Sequence, residues 1–130
     1  MALDFKRVVP LLRIFSIEKA REFYVQFLGF NVDWEHRFEE GAPLYVQISK
    51  GKLHLHLTEH YGDCCPGSTI FVDMTGLDGL HGEITSKQYP YLRPGIETVP
   101  WNARVMEVID PFGNRIRFNE YVAKPGTEQG

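Results

Sequence analysis

Apolar and polar positions along this chain switch repeatedly between a two-residue and a helical period. Arg7–Ile14 is rich in Val, Leu and Ile and reads as a strand, with Pro10 marking an edge or a bulge. From Ile17 the period lengthens: Ile17, Ala20, Phe23, Tyr24, Phe27 and Leu28 fall on one face of an amphipathic helix. Ser16 stands at its N-cap, Glu18 meets the dipole in its first turn, and Gly29 takes the left-handed position that ends it. Alternation then returns in three runs. Phe30–Phe38 comes first, and Leu44–Ser49 sets Leu44, Val46 and Ile48 against Tyr45, Gln47 and Ser49. Leu53–Thr58 sets Leu53, Leu55 and Leu57 against His54, His56 and Thr58.

After a turn-rich stretch, His60–Gly67, the order repeats. Thr69–Met74 reads as a strand and Leu77–Ser86 as a helix. Ile96–Val99, Arg104–Ile109 and Asn114–Tyr121 read as three further strands, with Asp110–Asn114 as a turn between the last two. The two helix starts, Ile17 and Leu77, lie 60 residues apart in a chain of 130. The pattern therefore predicts an α+β fold of paired βαβββ modules, about 5–60 and 67–122. These form a single domain over 1–122, and a polar tail over 123–130 is expected to fray.

Composition narrows the function. With 43% hydrophobic and 13% aromatic residues the chain has enough for a core. A formal net charge of −3, with scattered Lys and Arg, argues against nucleic acid. No apolar run reaches the length of a signal peptide or a membrane span. The adjacent Cys64 and Cys65 are poorly placed to bridge each other, and reduced thiols point to the cytoplasm.

Several short motifs stand in a telling order: Pro10-Leu11-Leu12, Ala20-Arg21-Glu22-Phe23-Tyr24, Leu28-Gly29-Phe30, Gly76-Leu77-Asp78-Gly79-Leu80, Pro100-Trp101 and Asp110-Pro111-Phe112-Gly113-Asn114. Together they span about residues 9–121. In order and spacing the chain resembles the bleomycin-resistance and glyoxalase group of the vicinal oxygen chelate superfamily, and Pro100-Trp101 looks most like the bleomycin-resistance branch. The resemblance implies a curled mixed-sheet cup in each half and a homodimer whose clefts are completed by both chains. In enzymes of the superfamily it also implies a divalent metal held by four side chains, two from each half. Carried over, those positions fall on Val9, His56, Thr69 or a neighbour, and Arg117. Val has no lone pair to give, and a guanidinium repels a cation. No metal or other cofactor is therefore expected in the usual site.

The remaining chemistry concentrates in three groups. His54 and His56 share a strand face at a spacing known from zinc sites, with Glu107 or Asp73 as possible third ligands; alternatively they line a moist cavity. Trp34, Phe38, Tyr45, Phe71 and Trp101 would give flat walls for a planar ligand, or in part pack the core. Arg104, Glu107, Arg115 and Arg117 are charges on the closing strands, where Arg117 would either close the empty metal position by pairing with Glu107 or bind an anionic ligand group. Acidic Asp33, Glu35, Glu39 and Glu40 near the rim would favour a cation or simply be solvated. The expectation is a binding protein that sequesters a bleomycin-type glycopeptide or similar planar cation. The alternative is a metal-dependent glyoxalase or dioxygenase with an altered site built on His54 and His56. A third reading is a housekeeping binder of an unknown metabolite.

Overall fold

A computed structural model describes residues 2–122 and carries the βαβββ order twice. The first half comprises β1 (Leu11–Arg13), α1 (Ile17–Ala20) with a π-type continuation over Arg21–Phe27, β2 (Asn31–His36), β3 (Tyr45–Lys50) and β4 (Leu53–Thr58). The second comprises β5 (Thr69–Asp73), α2 (Leu77–Thr85), β6 (Ile96–Val99), β7 (Ala103–Ile109) and β8 (Arg115–Tyr121). Each half forms one four-stranded mixed sheet, ordered β1-β4-β3-β2 and β5-β8-β7-β6, and the sheets do not close on each other. The first strand of each half pairs in parallel with the last, and the remaining ladders are antiparallel. The tail expected to fray lies outside the described residues.

Local chemistry explains where the elements begin and end. The first strand is shorter than the run Arg7–Ile14 suggests. Pro10 has no N–H for the ladder, and only its carbonyl takes part, accepting from His56 N–H at 2.9 Å. The Ser16 hydroxyl caps α1 by accepting from Lys19 N–H at 3.2 Å. Beyond Ala20 the helix widens, so that Leu28 N–H reaches Phe23 O. Gly29 then turns the chain at φ +83°, in the left-handed region that favours glycine. Phe30, read from the pattern as the start of the second strand, is instead buried in the core, and β2 begins one residue later.

One face of each sheet packs on the helices. Phe23, Tyr24 and Phe27 from the first helix and Leu77 and Ile84 from the second join Val46, Leu57, Met106 and Phe118 in one buried cluster. Against this cluster the Asp110 carboxylate is buried. It accepts from Tyr24 Oη at 2.6 Å, from the backbone N–H groups of Phe112 and Asn114 at 2.8 Å each, and from Asn114 Nδ2 at 2.9 Å. Asn114 Nδ2 also donates to Arg13 O at 2.8 Å, and Asn114 Oδ1 accepts from Ser68 N–H at 3.1 Å. The Asp-Pro-Phe-Gly-Asn turn thus ties both halves together. Burial, and then the neighbouring Asp110, push the Tyr24 hydroxyl well above its ordinary range, so it remains a donor.

Tyr24→Phe is expected to cost about 1.5–3 kcal/mol, since it removes one hydrogen bond to a buried carboxylate. Asp110→Ala strands several donors and should cost about 3–5 kcal/mol. Urea denaturation of both variants measures this, and equal, near-zero shifts of the midpoint would show that the tie contributes little.

Candidate functional site: two open sheet faces

Because side chains alternate along strands, the faces turned away from the helices gather a second set of residues. On the first sheet these are Tyr45, Gln47 and Ser49 of β3 and His54 and His56 of β4, while Val46, Ile48, Leu55 and Leu57 point into the core. A shift of register between Val32 and Trp34 sets Trp34 opposite Gln47. The Trp34 ring stacks on Tyr45 at 5.9 Å and 9°, and it meets His56 edge-on at 5.3 Å.

Hydrogen bonds fix this face. Gln47 Nε2 donates to Asp33 at 3.0 Å, which turns the amide oxygen toward His56 Nε2, also at 3.0 Å. That oxygen accepts from Arg7 as well, at 3.2 Å. His56 Nε2 is therefore the protonated nitrogen, and Nδ1 accepts from the Tyr45 hydroxyl at 2.7 Å. Both ring nitrogens of His56 are occupied by neutral partners. Burial, helped by Arg7 and His54, lowers the His56 pKa and favours this neutral ring. Hydrogen bonds from Gln47 and Ser49 hold the Asp33 carboxyl below the usual range. Burial, then Asp63 and Cys64, raise the Tyr45 hydroxyl. Beside the stack lies a groove of about 380 Å³ lined by Trp34, His36, Phe38, Tyr45, His60 and Asp63. Phe38 stands largely exposed at its rim, edge-on to His36 at 4.8 Å and to His60 at 5.9 Å.

The second sheet presents Phe71 of β5, Glu107 of β7, and Arg117 and Asn119 of β8. Phe71 is 50% exposed rather than packed in the core, and Trp101, in the β6–β7 turn, is 52% exposed. Arg117 Nε donates to Glu107 at 2.9 Å, the pairing anticipated from sequence, and this lowers the Glu107 pKa. Trp101 Nε1 donates to the buried Asn119 at 3.0 Å, and Asn119 Nδ2 donates to Asp73 at 3.0 Å.

Of the residues singled out from sequence, Arg104 falls off these faces, and His54 is on the first face but bonded to the backbone. Arg104 has the parity of Met106 and Val108, so it lies on the helix side of its sheet, gripping Asp78 through two hydrogen bonds of 2.9 and 2.6 Å. His54 shares the face of His56, but its Nδ1 is engaged with Lys52 O at 3.0 Å. Sequence reading passed over Gln47, His36 and Asn119 altogether. Gln47 carried a usable signal, being a polar residue on the same strand face as Tyr45 in an otherwise apolar run.

The ladders also sharpen the question of metal binding. The residue paired with His56 in the parallel ladder is Leu11 rather than Val9, and the residue paired with Arg117 is Phe71 rather than Thr69. Neither offers a lone pair, Arg117 is a cation, and His56 has both nitrogens engaged. Among the described residues no group of three or more His, Cys, Asp or Glu is arranged to hold a metal ion. The donor set does not fit the superfamily's divalent metal. No helix among the described residues is long and apolar enough to cross a membrane.

Two open four-stranded sheets, each begun by a parallel-paired strand and backed by one helix, define a glyoxalase-type α+β fold. The family described as "Glyoxalase superfamily protein" matches residues 1–125, and the chain belongs to it. Among solved structures it is similar to the bleomycin-binding protein of Streptomyces verticillus complexed with copper(II)-bleomycin. The TM-score is 0.67 at 24% identity, covering 95% of this chain and 100% of that one. It is also similar to an antibiotic binding protein from Streptomyces sp. CB03234, with TM-score 0.70, 19% identity and 93% and 100% of the two chains covered. A glyoxalase-related enzyme from Clostridium phytofermentans aligns with TM-score 0.69 at 21% identity, covering 92% of this chain and 98% of that one. No curated protein matches the chain. The fold thus has both binding proteins and enzymes among its neighbours.

The burial of His56 makes a pH prediction. Its folded pKa lies below the ordinary value of about 6.5, so between the two values the unfolded chain binds more protons. Stability should rise with pH through this window and be lost as pH falls from about 6.5 toward the folded pKa. Thermal melts between pH 7.5 and 5 should show the loss, and His56→Gln should reduce it; an identical slope in the variant would contradict the assignment.

Proposed function

We propose that this protein is a non-enzymatic binder that sequesters a bleomycin-type glycopeptide, or a similar planar cationic ligand, against its open aromatic faces. The observation that carries this reading is that His56 and Arg117 are already satisfied by Tyr45, Gln47 and Glu107 while Trp34, Phe71 and Trp101 stay exposed beside them. The imidazole that an enzyme would keep free for a metal is spent on hydrogen bonds to Tyr45 and Gln47. A stacked Trp34–Tyr45 wall suits a flat heteroaromatic group, and the nearby carboxylates suit positive charge. The bleomycin-binding and antibiotic-binding neighbours support the ligand class. In this reading residues 1–122 act as one cytoplasmic domain, and a second copy of the chain completes each cleft. Protection then works by mass action, since tight binding lowers the free drug without making or breaking a bond.

The chain has two tryptophans, Trp34 and Trp101, one on each face, so intrinsic fluorescence reports directly. Titration with metal-free or copper-bound bleomycin should quench it saturably, and Trp34→Ala should weaken binding roughly tenfold. Absence of quenching with either form would overturn the proposal. Dialysis against a chelator should leave the titration unchanged. Stoichiometric Zn, Ni, Mn or Fe that is lost in His56→Ala would instead establish the metalloenzyme reading.

A further inference from the structure

The two faces are held by chains of hydrogen bonds with the same chemistry at different positions in the fold. On the first, the Asp33 carboxylate orients the Gln47 amide, whose oxygen receives the His56 Nε2 proton. On the second, the Asp73 carboxylate orients the Asn119 amide, whose oxygen receives the Trp101 Nε1 proton. In each, a carboxylate decides which way an amide points, and the amide consumes a ring N–H. Resting on the planar-ligand reading above, we propose that Asp33 and Asp73 are the specificity-determining residues of these faces, and that Gln47 and Asn119 are positioning residues acting through the rings.

The consequence for recognition follows from the inventory of donors and acceptors. With the His56 and Trp101 N–H groups consumed, these rings offer a ligand their π faces and no donor. Beside them stand carboxylates: Asp33 is exposed, ionised well into the acid range, and its oxygens keep lone pairs beyond those used by Gln47 and Ser49. Asp73 is likewise exposed. Such surfaces stabilise a planar cation through ring stacking, cation–π attraction and charge, while Asp33 and Asp73 repel a planar anion. Arg117 on the second face is already paired with Glu107. Arg7 lies close to the first face, but its guanidinium is directed at the Gln47 oxygen and so reinforces the amide's orientation. The relays also keep the rings from turning. An amide freed from its carboxylate can present its NH2 to the ring instead, and the His56 tautomer and the Trp101 bond would both be lost.

Matched acridine probes test this, one carrying a 9-amino group and cationic at pH 7.5, the other a 9-carboxylate. The intact protein should prefer the cation at least about fivefold. Asp33→Asn should reduce cation affinity about three- to fivefold, with anion affinity unchanged or improved. The positioning role is read separately by 15N NMR of the unliganded protein. His56 should show the Nε2–H tautomer and Trp101 a hydrogen-bonded indole resonance, and Asp73→Asn should shift the latter. Equal affinity for the two acridines, or a Trp101 resonance indifferent to Asp73→Asn, would overturn the inference while leaving planar-ligand binding in place. Binding of neither acridine would overturn the planar-ligand reading itself.

Discussion

The Asp110 carboxylate is buried, and a buried charge persists only where hydrogen bonds replace the water it has lost. Here the replacements come from Tyr24 of the first helix and from Phe112 and Asn114 in its own turn. Asn114 carries the tie onward to the Arg13 carbonyl in β1 and to Ser68 just before β5. The first helix, β1 and the approach to β5 are therefore all anchored to this turn. Removing any one donor leaves the others around a charge that is no longer fully satisfied, so the tie is cooperative in the sense that its parts lose value separately. Pro111 and Gly113 serve the same end, because the carboxylate can reach its own backbone only if the turn is tight.

With the core face of each sheet committed to the helices, the opposite faces are left to function, and duplication gives them matched frames. Leu11 beside His56 and Phe71 beside Arg117 occupy equivalent places in two parallel ladders. What stands on the frames differs. The first half carries the Trp34–Tyr45 stack, and the second carries the Arg117–Glu107 pair and Trp101. A site assembled from both would combine a stacking wall with a charged wall, which is a reason for the halves to have diverged.

The element order was legible in the sequence because it depends on period alone. Leu53, Leu55 and Leu57 against His54, His56 and Thr58 can be a strand with two faces and little else. Boundaries were less legible where a single backbone group decides, as when the missing N–H of Pro10 delays β1 until Leu11. Face membership was legible for Tyr45 and His56, which alternate cleanly, and was lost for Arg104. Its spacing already shares the parity of Met106 and Val108, but its charge suggested the cleft, and only the contact with Asp78 shows what it meets on the helix side. The relays were out of reach for a different reason. Gln47 meets Asp33 and Asn119 meets Asp73 across strands, and a polar residue's partner in a sheet depends on register, which only the ladders fix.

Register also bears on which residues stand where the superfamily's metal ligands would be. Counting back from the helix placed the first position on Val9, whereas the ladder places Leu11 opposite His56. A displacement of two residues along a strand preserves the face, and neither Val9 nor Leu11 has a lone pair to give. The deeper reason the site does not fit a metal lies in saturation rather than in residue type. His56 is a competent ligand by identity, but ligation needs a free lone pair on one nitrogen, and the only lone pair of its neutral ring already accepts from Tyr45. To free it, the protein would have to give up the bond that holds Tyr45 against Trp34, and with it the stacking wall. On this face, metal ligation and the hydrogen bond that fixes Tyr45 compete for the same atom, and the bond observed is the one from Tyr45.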